Sequence, residues 1–595
     1  MTTTESASPS AAADRTTLDD TERAALDAAI DELAAGERRW ADTSLAARAA
    51  LLARTHATIA ANAERWATTA GRIKGLAPDS PLMGEEWISG PYPALTGFAQ
   101  LSRSLQALAE RRSPLAGARF GTAPGGRTTV RVLPHSAHEA ILLHGFRAEV
   151  WLRPGVAAST ARSHAGLAQH HPSRTGGVGL VLGAGNITSI APLDVASELV
   201  AHNRVALLKL NPTLDDLEPV LRAALAPLVE AGVLRIVRGG ADAGAYLTGH
   251  PGIAHVHITG SSVTHDAIVW GPGDEGRARK AAGTPVLDKD ITSELGGVAP
   301  VVVVPGDWSA DDLRYQAEHV ATMRLHNGGY NCIAGQVVIV SRDWPLKDAF
   351  LAALRDALDR APARPAWYPG SAARLASAAA SYPGATRLGP DGGRLLVDLT
   401  GNAGGHGPDA AAPERAAVER TEYFAPVLGV VELPGTGQRF LDAAVAHAND
   451  ELAGTLGANV VVAPNDRRAL GAGFDRAIAD LRYGTIGVNA WTGVGYLTAT
   501  APWGAYPGHT LADIQSGRGV VHNALLLDAT ERTVVTGPFR PFPRSVARGE
   551  LALFPKPPWF VTARSAATTG RRLTAFAARP GWLAMPSVFA AAFRA

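Results

Sequence analysis

The chain of 595 residues holds a single cysteine, Cys332, in the segment Leu325-His326-Asn327-Gly328-Gly329-Tyr330-Asn331-Cys332-Ile333-Ala334-Gly335. One thiol cannot close an internal disulfide, and alone it cannot build a thiolate cage around a metal. Two readings stay open: a small buried hydrophobe or a nucleophile. The cysteine follows a glycine pair and precedes the apolar run Gln336-Val337-Val338-Ile339-Val340, which places it on a loop entering a buried strand. A second reactive group stands upstream in Thr292-Ser293-Glu294-Leu295-Gly296-Gly297, where a carboxylate sits between a strand and a tight glycine turn, just before the apolar run Pro300 to Val304.

Taken together, the two segments resemble the aldehyde dehydrogenase superfamily. In that family a glutamate in an ELGG turn is the base and a cysteine in a segment like Asn327 to Cys332 is the nucleophile. Glu294 and Cys332 follow in the family's order and at its spacing. The resemblance extends to Asn186, in the place of the asparagine whose amide steadies the oxyanion, and to Lys209, in the place of the lysine that bonds the adenosine ribose. Thr421-Glu422-Tyr423-Phe424-Ala425-Pro426-Val427 resembles the family's E-x-F-G-P-V segment, which implies Glu422 at the nicotinamide-side ribose and Phe424 beside the nicotinamide. His447-Ala448-Asn449, Gly484 to Asn489 and Pro502-Trp503-Gly504 match further, with Asn489 expected near the mouth of the substrate tunnel. The chain departs from the pattern at Ala184-Gly185, where proline and tryptophan are usual, at Pro212 in place of a ribose-gripping glutamate, and at Ala425 in place of glycine. Without that glutamate a 2′-phosphate is not excluded, so both NAD and NADP fit.

The elements around these residues have a clear rhythm. From Thr21 to about Gln106 the pattern is helical, with Leu45, Leu52, Ile59 and Trp66 recurring on one face. From Gly176 apolar strands alternate with helices: strands at Gly179 to Leu182, Arg204 to Leu210, Leu234 to Val237 and Ala254 to Ile258, with helices over about Ser189 to His202 and Leu214 to Ala231. Such βαβ units predict a parallel sheet that binds ligands at the carboxyl ends of its strands. Two glycine-bearing loops lie there, Gly183-Ala184-Gly185-Asn186 and Thr259-Gly260-Ser261, and the two hydroxyls of the second are expected to bond a pyrophosphate. Neither loop carries a GxGxxG or GxxxxGK[ST] fingerprint. Ser309 and Asp312 predict a capped helix over Asp311 to Leu325 that delivers the chain to Cys332.

The fold class expected is α/β, aldehyde dehydrogenase-like: two doubly wound α/β domains, one for the cofactor and one catalytic, plus an oligomerisation arm drawn from about Arg127 to Arg153. The expected layout is a disordered leader over 1–20, a cofactor-binding domain with N-terminal helices and arm segment over 21–290, a catalytic domain over 291–490, a return segment with oligomerisation strands over 491–540, and an extension over 541–595. Residues from about Pro362 to Pro413 are expected to be a surface stretch. The implied cofactor-binding set is Lys209, Thr259, Gly260, Ser261, Leu295, Glu422 and Phe424; the catalytic set is Cys332, Glu294 and Asn186.

Fifty-six basic against 55 acidic side chains leave a net charge of +1, which gives no electrostatic case for nucleic acid and favours a small-molecule substrate. A hydrophobic content of 46% with 63 glycines and 40 prolines suits a loop-rich α/β protein. The first twenty residues lack a basic start and an apolar h-region, so a cytoplasmic location, where a thiol stays reduced, is expected. No apolar run approaches bilayer length. Beyond Asn523, Pro538 to Pro558 leads into a tail in which Arg571, Arg572, Arg579 and Arg594 alternate with Leu573, Phe576, Trp582 and Phe589. Pro580 and Pro586 break that tail into short pieces, so docking on the protein's own body or disorder is favoured over contact with a membrane surface.

The activity that the resemblance implies is NAD(P)-dependent oxidation of an aldehyde to a carboxylic acid. A thiohemiacetal and then a thioester form on Cys332, and water activated by Glu294 hydrolyses the thioester. By the same analogy the protein would be a homodimer or homotetramer. The alternatives are an acyl-CoA reductase, which the Gly185-Asn186 loop resembles, and a silent scaffold that keeps the fold.

Overall fold

The computed structural model describes residues 18–400 and 417–595, so the leader (through residue 17) and residues 401–413 of the surface stretch lie outside the described residues. Helix α1 (Asp20–Asp42) starts one residue before the expected Thr21, because the Asp19 carboxylate accepts from the Glu22 N–H and Glu22 reaches back to Asp19 in a capping box. Helices α2 (Leu45–Ile73), α3 (Met83–Ser89) and α4 (Pro91–Ala109) follow. On α2 the heptad-spaced Leu52, Ile59 and Trp66 are fully buried, as their spacing predicts.

Seventeen strands form two sheets among the described residues. They are β1 (Phe120–Ala123), β2 (Arg127–Leu133), β3 (Arg147–Leu152), β4 (Val178–Leu182), β5 (Val205–Lys209), β6 (Leu234–Val237), β7 (His255–Gly260), β8 (Asp290–Leu295), β9 (Ala299–Val303), β10 (Gly335–Ser341), β11 (Thr386–Leu388), β12 (Arg394–Asp398), β13 (Val427–Leu433), β14 (Gly457–Val461), β15 (Thr485–Val488), β16 (Gly517–Arg518) and β17 (Thr530–Thr536). The smaller sheet has the order β16-β8-β7-β4-β5-β6, parallel except at β16. Its winding reverses between β4 and β7, the crevice at which a doubly wound sheet takes its ligand. The larger sheet runs β1-β2-β3-β17-β15-β14-β9-β10-β13-β12-β11. Its central strands, such as β9 and β10, are buried at every position, which explains why they read as unbroken apolar runs.

Three features of the expected layout change. The strands at about 127–153 join the larger sheet through antiparallel pairing of β3 with β17, rather than belonging with the cofactor-binding unit. The boundary placed at 290 falls inside β8, so Glu294 is carried by the smaller sheet. The helix expected over Leu214 to Ala231 is three short pieces, Pro212–Leu217, Glu218–Ala224 and Ala226–Glu230, each with a proline in its first two positions (Pro212, Pro219, Pro227); proline lacks the N–H that would bond back to the preceding turn.

The C-terminal extension packs on the body of the protein. Phe554, Trp559, Phe560 and Val561 are buried in the same core as β9, β10 and the helix Ala310–Leu325. The helix Ala566–Ala578 lies so close on α3 that a Cβ at Gly84 would fall 2.4 Å from the Ala566 backbone. No described helix is long and apolar enough to cross a membrane.

Candidate active site

Cys332 sits on the turn between the helix Ala310–Leu325 and β10. Ser309 and Asp312 form the expected capping box, and the helix begins at Ala310. Its exit turn needs left-handed backbone at three successive residues: Asn327 (φ 55°), Gly328 (φ 70°) and Gly329 (φ 81°). Glycine takes that conformation without cost and asparagine tolerates it, which accounts for the Asn-Gly-Gly run. The turn is then pinned from outside. The Asn327 N–H donates to Glu85 Oε2 (2.9 Å), and its side-chain oxygen accepts from Lys74 Nζ (3.0 Å) and Arg364 Nη2 (3.3 Å). Lys74 pairs with Glu86 at 2.9 Å, both fully buried, and Arg364 pairs with Glu85. These charges on and beside α2 and α3 were not singled out by sequence reasoning, since nothing local to Lys74, Glu85, Glu86 or Arg364 signals a partner more than 200 residues away.

Asn186 approaches the same turn from the loop after β4. Its amide Nδ2 donates to the Tyr330 carbonyl at 2.8 Å, and Asn327 Nδ2 donates to the Asn186 carbonyl at 3.1 Å. One amide hydrogen of Asn186 is thus used to hold the cysteine loop, and the second is available beside the thiol.

Two cavities meet at Cys332, Glu294, Asn186 and Thr259. The larger, about 960 Å³, runs over the carboxyl ends of β4, β5, β7 and β8 and is lined also by Lys209, Gly260, Ser261, Glu422 and Phe424. The smaller is an apolar chamber of about 50 Å³ walled by Ile88, Ile187, Trp491, Tyr496, Trp503 and Trp559. All three expected catalytic residues therefore converge, together with six of the seven expected cofactor-binding residues.

Burial, then the Glu422 and Glu294 carboxyls, raise the Cys332 thiol above its ordinary range, while the backbone N–H groups of Cys332 and Ile333 oppose this. Burial, and next Asp194, push Glu294 well above the usual carboxylate range, and its Oε1 has no hydrogen-bond partner. Burial raises Glu422 to about 8, with Arg324 and Arg374 pulling the other way. Its Oε1 too is buried and unpartnered, against Gly296, where a Cβ would meet it at 1.9 Å. Unpartnered buried carboxylate oxygens mark places where a ligand or water is to be met.

Residues 190–379 match the sequence model of the aldehyde dehydrogenase family. That matched segment, about a third of the chain, carries Glu294 and Cys332 and is similar to the aldehyde dehydrogenase family. The fold of the chain is similar to those of several solved aldehyde dehydrogenases. The indole-3-acetaldehyde dehydrogenase AldA of P. syringae, solved with NAD+, is 19% identical, with a TM-score of 0.54 over 86% of this chain and 89% of that one. The gamma-glutamyl-gamma-aminobutyraldehyde dehydrogenase of Burkholderia cenocepacia J2315 is 20% identical, with a TM-score of 0.54 over 88% and 90%. The NADP-dependent glyceraldehyde-3-phosphate dehydrogenase of Bacillus halodurans C-125, solved with NADP, is 18% identical, with a TM-score of 0.53 over 87% and 91%.

Against the pattern of this superfamily, four expectations change. Leu295 is 1% exposed and does not line the cavity; its N–H donates to the Ser516 carbonyl at 3.0 Å, because β16 pairs with β8 at that point. The Thr259 and Ser261 hydroxyls, expected at a pyrophosphate, are engaged within the protein. Thr259 Oγ1 donates to Asp194 at 3.1 Å, and Ser261 Oγ caps the helix Ser262–Trp270 by accepting from the Thr264 N–H at 3.2 Å. Asn489 lines neither cavity, since its amide is bonded both ways to Val462 (2.8 Å each); the chain reverses there at φ 52° and brings Trp491 to the chamber instead. Tyr368 and Arg374, in the expected surface stretch, line the larger cavity, and Tyr368 packs edge-on against Phe424 at 5.0 Å.

Proposed function

We propose that the protein oxidises an aldehyde with an apolar, uncharged body to its carboxylic acid, with NAD or NADP as hydride acceptor. The observation that carries the reading is the convergence of Cys332, Glu294 and Asn186 where an apolar chamber opens onto a cavity of cofactor size. The residues fit the dinucleotide. Lys209 ends β5 inside the larger cavity with only a 3.5 Å contact to the Leu210 carbonyl, and Glu422 offers an unpartnered carboxyl oxygen near the cysteine. When bound, the nicotinamide accepts the hydride.

The chain's own groups do the rest. Cys332, its thiol hydrogen passed to water in the cavity, attacks the carbonyl carbon as the thiolate, and the second Asn186 amide hydrogen with the Cys332 N–H steadies the oxyanion; one such donor is typically worth about 10²- to 10³-fold in rate. Once the thioester has formed, Glu294 takes a proton from water, which hydrolyses it. A glutamate at this position supports an acid product over transfer to coenzyme A. The free thiol suits a reducing, cytoplasmic compartment.

The chamber supports the substrate class. His326, the one basic group among the described residues of its wall, is pushed down to about 4 by burial and stays neutral at physiological pH, so nothing there would pair with an anionic substrate tail. Trp559 comes from the C-terminal extension. Trp559→Ala would remove one indole wall and is expected to lower kcat/KM for medium-length alkanals or aryl aldehydes by about 10- to 100-fold, on the scale of one to a few methylene contacts. Acetaldehyde should be affected far less. Equal losses on both would refute the role of Trp559.

The same aldehyde panel tests the whole reading when run with both cofactors, acyl-CoA plus NADPH, and mass spectrometry of the trapped acyl-enzyme. Near Lys209 the cavity is lined by Leu210, Asn211 and Pro212, and the Asp215 and Asp242 carboxylates, which act on Lys209, are not among its lining residues. NADP should therefore support turnover at a kcat/KM comparable with NAD. A preference for NAD of a hundredfold or more, on the order of 3 kcal/mol, would count against that reading of the wall.

A further inference from the structure

Hydrolysis of the thioester consumes one water and returns the thiol and a carboxylic acid; at neutral pH the acid ionises, so one proton must leave. Glu294, 5% exposed, receives it and must give it up before the next turnover. The smaller sheet carries an unusual set of buried groups next to Glu294. His255 and His257 occupy alternate positions of β7, a parallel strand inside the sheet, and both are 2% exposed. Residues two apart on a strand share a face, and residues four apart share a helix face. The two imidazoles accordingly meet Glu198 and Asp194 of the helix Ile190–Ala201.

From Thr259 onward the groups succeed one another at 3.5 Å or less, with Asp194–His257 and His255–Glu198 as ion-pair approaches and the others as hydrogen bonds. Glu294 is in register with Thr259 on the neighbouring strand, and the Thr259 hydroxyl donates to Asp194 at 3.1 Å. Asp194 lies 3.5 Å from His257 Nε2 and 3.2 Å from His522 Nε2. His257 Nδ1 is 2.9 Å from Thr292 Oγ1, which is 3.3 Å from His255 Nε2. His255 Nδ1 is 3.3 Å from Glu198 Oε2, and Glu198 pairs at 3.2 Å with Arg204, whose side chain is 20% exposed.

We propose that Asp194, His257, Thr292, His255 and Glu198 form a proton wire that returns Glu294 to its ionised state between turnovers. The proposal rests on the reading of Glu294 as the hydrolytic base. The proton passes from Glu294 by way of chamber water and the Thr259 hydroxyl to Asp194 and on to His257 Nε2. His257 gives up its Nδ1 hydrogen to Thr292, Thr292 gives its hydroxyl hydrogen to His255 Nε2, and the His255 Nδ1 hydrogen goes to Glu198 and solvent. Each group gains one hydrogen and loses one, which leaves both imidazoles in the opposite tautomer, and they return to the starting tautomer before the next proton passes.

The neighbouring charges set the proton affinities along the wire. Burial disfavours charge on His257, but Asp194 outweighs it and raises the imidazole above its ordinary range. Glu198, despite its burial, is drawn down to about 2 by His255 and Arg204. The remaining groups facing the wire are Glu294, Tyr496, His522 and His202, whose ring stacks on His255 at 6.3 Å and is kept neutral by burial at about 4. A network kept only for packing would be costly here, since replacing buried ion pairs with apolar residues is often neutral or stabilising.

Thr292 allows a crossed test in the full-length enzyme. Thr292→Val keeps the shape and removes the hydroxyl; Thr292→Ser keeps the hydroxyl and removes a methyl group. Thr292→Val is expected to leave the first-turnover burst of NAD(P)H unchanged, lower steady-state kcat by about tenfold or more, enlarge the solvent deuterium isotope effect and accumulate acyl-enzyme by mass spectrometry. Thr292→Ser should stay within about twofold of the wild type. If Thr292→Val turned over like the wild type, or if both variants lost rate in step with Tm, the wire would be overturned. Should Thr292→Val fail to fold, His255→Gln one link farther out is read in the same way. A wild-type enzyme without a burst would bring down the reading of Cys332 and Glu294 itself, whereas a normal burst with a normal Thr292→Val steady state brings down the wire alone.

Discussion

Cys332→Ala is expected to abolish NAD(P)H formation with every aldehyde while cofactor affinity, followed by fluorescence titration, stays within about twofold of the wild type. The chain has no second thiol to take over the attack. Without a covalent bond to sulfur the carbonyl carbon stays planar and holds its hydrogen, so no hydride is released. Cofactor binding should survive because Lys209, Gly260 and Ser261 line the larger cavity independently of the cysteine turn. That turn is held by Glu85, Lys74, Arg364 and Asn186 acting on Asn327 and Tyr330 through hydrogen bonds that do not involve the sulfur. Turnover retained above about a thousandth of the wild-type rate would refute the nucleophile assignment, and it would return Cys332 to the other reading a lone cysteine allows, a small packed side chain.

How far the site could be read from the chain depended on how local its signals are. The Asn-Gly-Gly run before Cys332 and the Glu294-Leu-Gly-Gly turn report left-handed backbone and a carboxylate at a strand end, both properties of a few adjacent residues. The alternating strands and helices after Gly176 fixed the smaller sheet, because hydrophobic periodicity is set by the faces each element buries. What hydroxyls and amides do once the chain folds is not local. Thr259 faces a carboxylate on a neighbouring helix, and Asn489 is spent on Val462; from sequence alone each looked available to a ligand. The arm strands were legible as strands, yet their partner β17 lies nearly 400 residues away, and pairing over such distances leaves no mark in either segment. The extension illustrates the same limit. Docking on the protein's own body was one of its expected states, but the contacts were not legible: Arg540 and Arg544 pair with Asp312, and Phe554, Trp559 and Phe560 join the core beneath the larger sheet.

Glu294→Gln should separate the two halves of the reaction. The amide keeps the size and polarity of the carboxyl group, so Cys332, Asn186 and the chamber stay in place and the first turnover should still release about one NAD(P)H per active site. Glutamine cannot accept a proton from water, and steady-state turnover should then fall by about 10²- to 10⁴-fold as the thioester accumulates. The direction of the Glu294 shift adds a second readout. Burial and the nearby Asp194 raise its pKa well above the ordinary range, so its protonated form persists to higher pH than that of a free carboxylate. Wild-type steady-state kcat should therefore climb with pH along a limb displaced above the ordinary carboxylate range, approaching tenfold per unit while the pH is below that pKa, with acyl-enzyme hydrolysis rate-limiting. In Glu294→Gln that limb should flatten, because the group that titrates is gone. An unchanged steady-state rate, or a pH limb of the same slope in the variant, would assign the hydrolytic base to another residue. A missing burst would place Glu294 in the first half of the reaction instead, as the group that removes the proton from a thiol whose own pKa burial has raised.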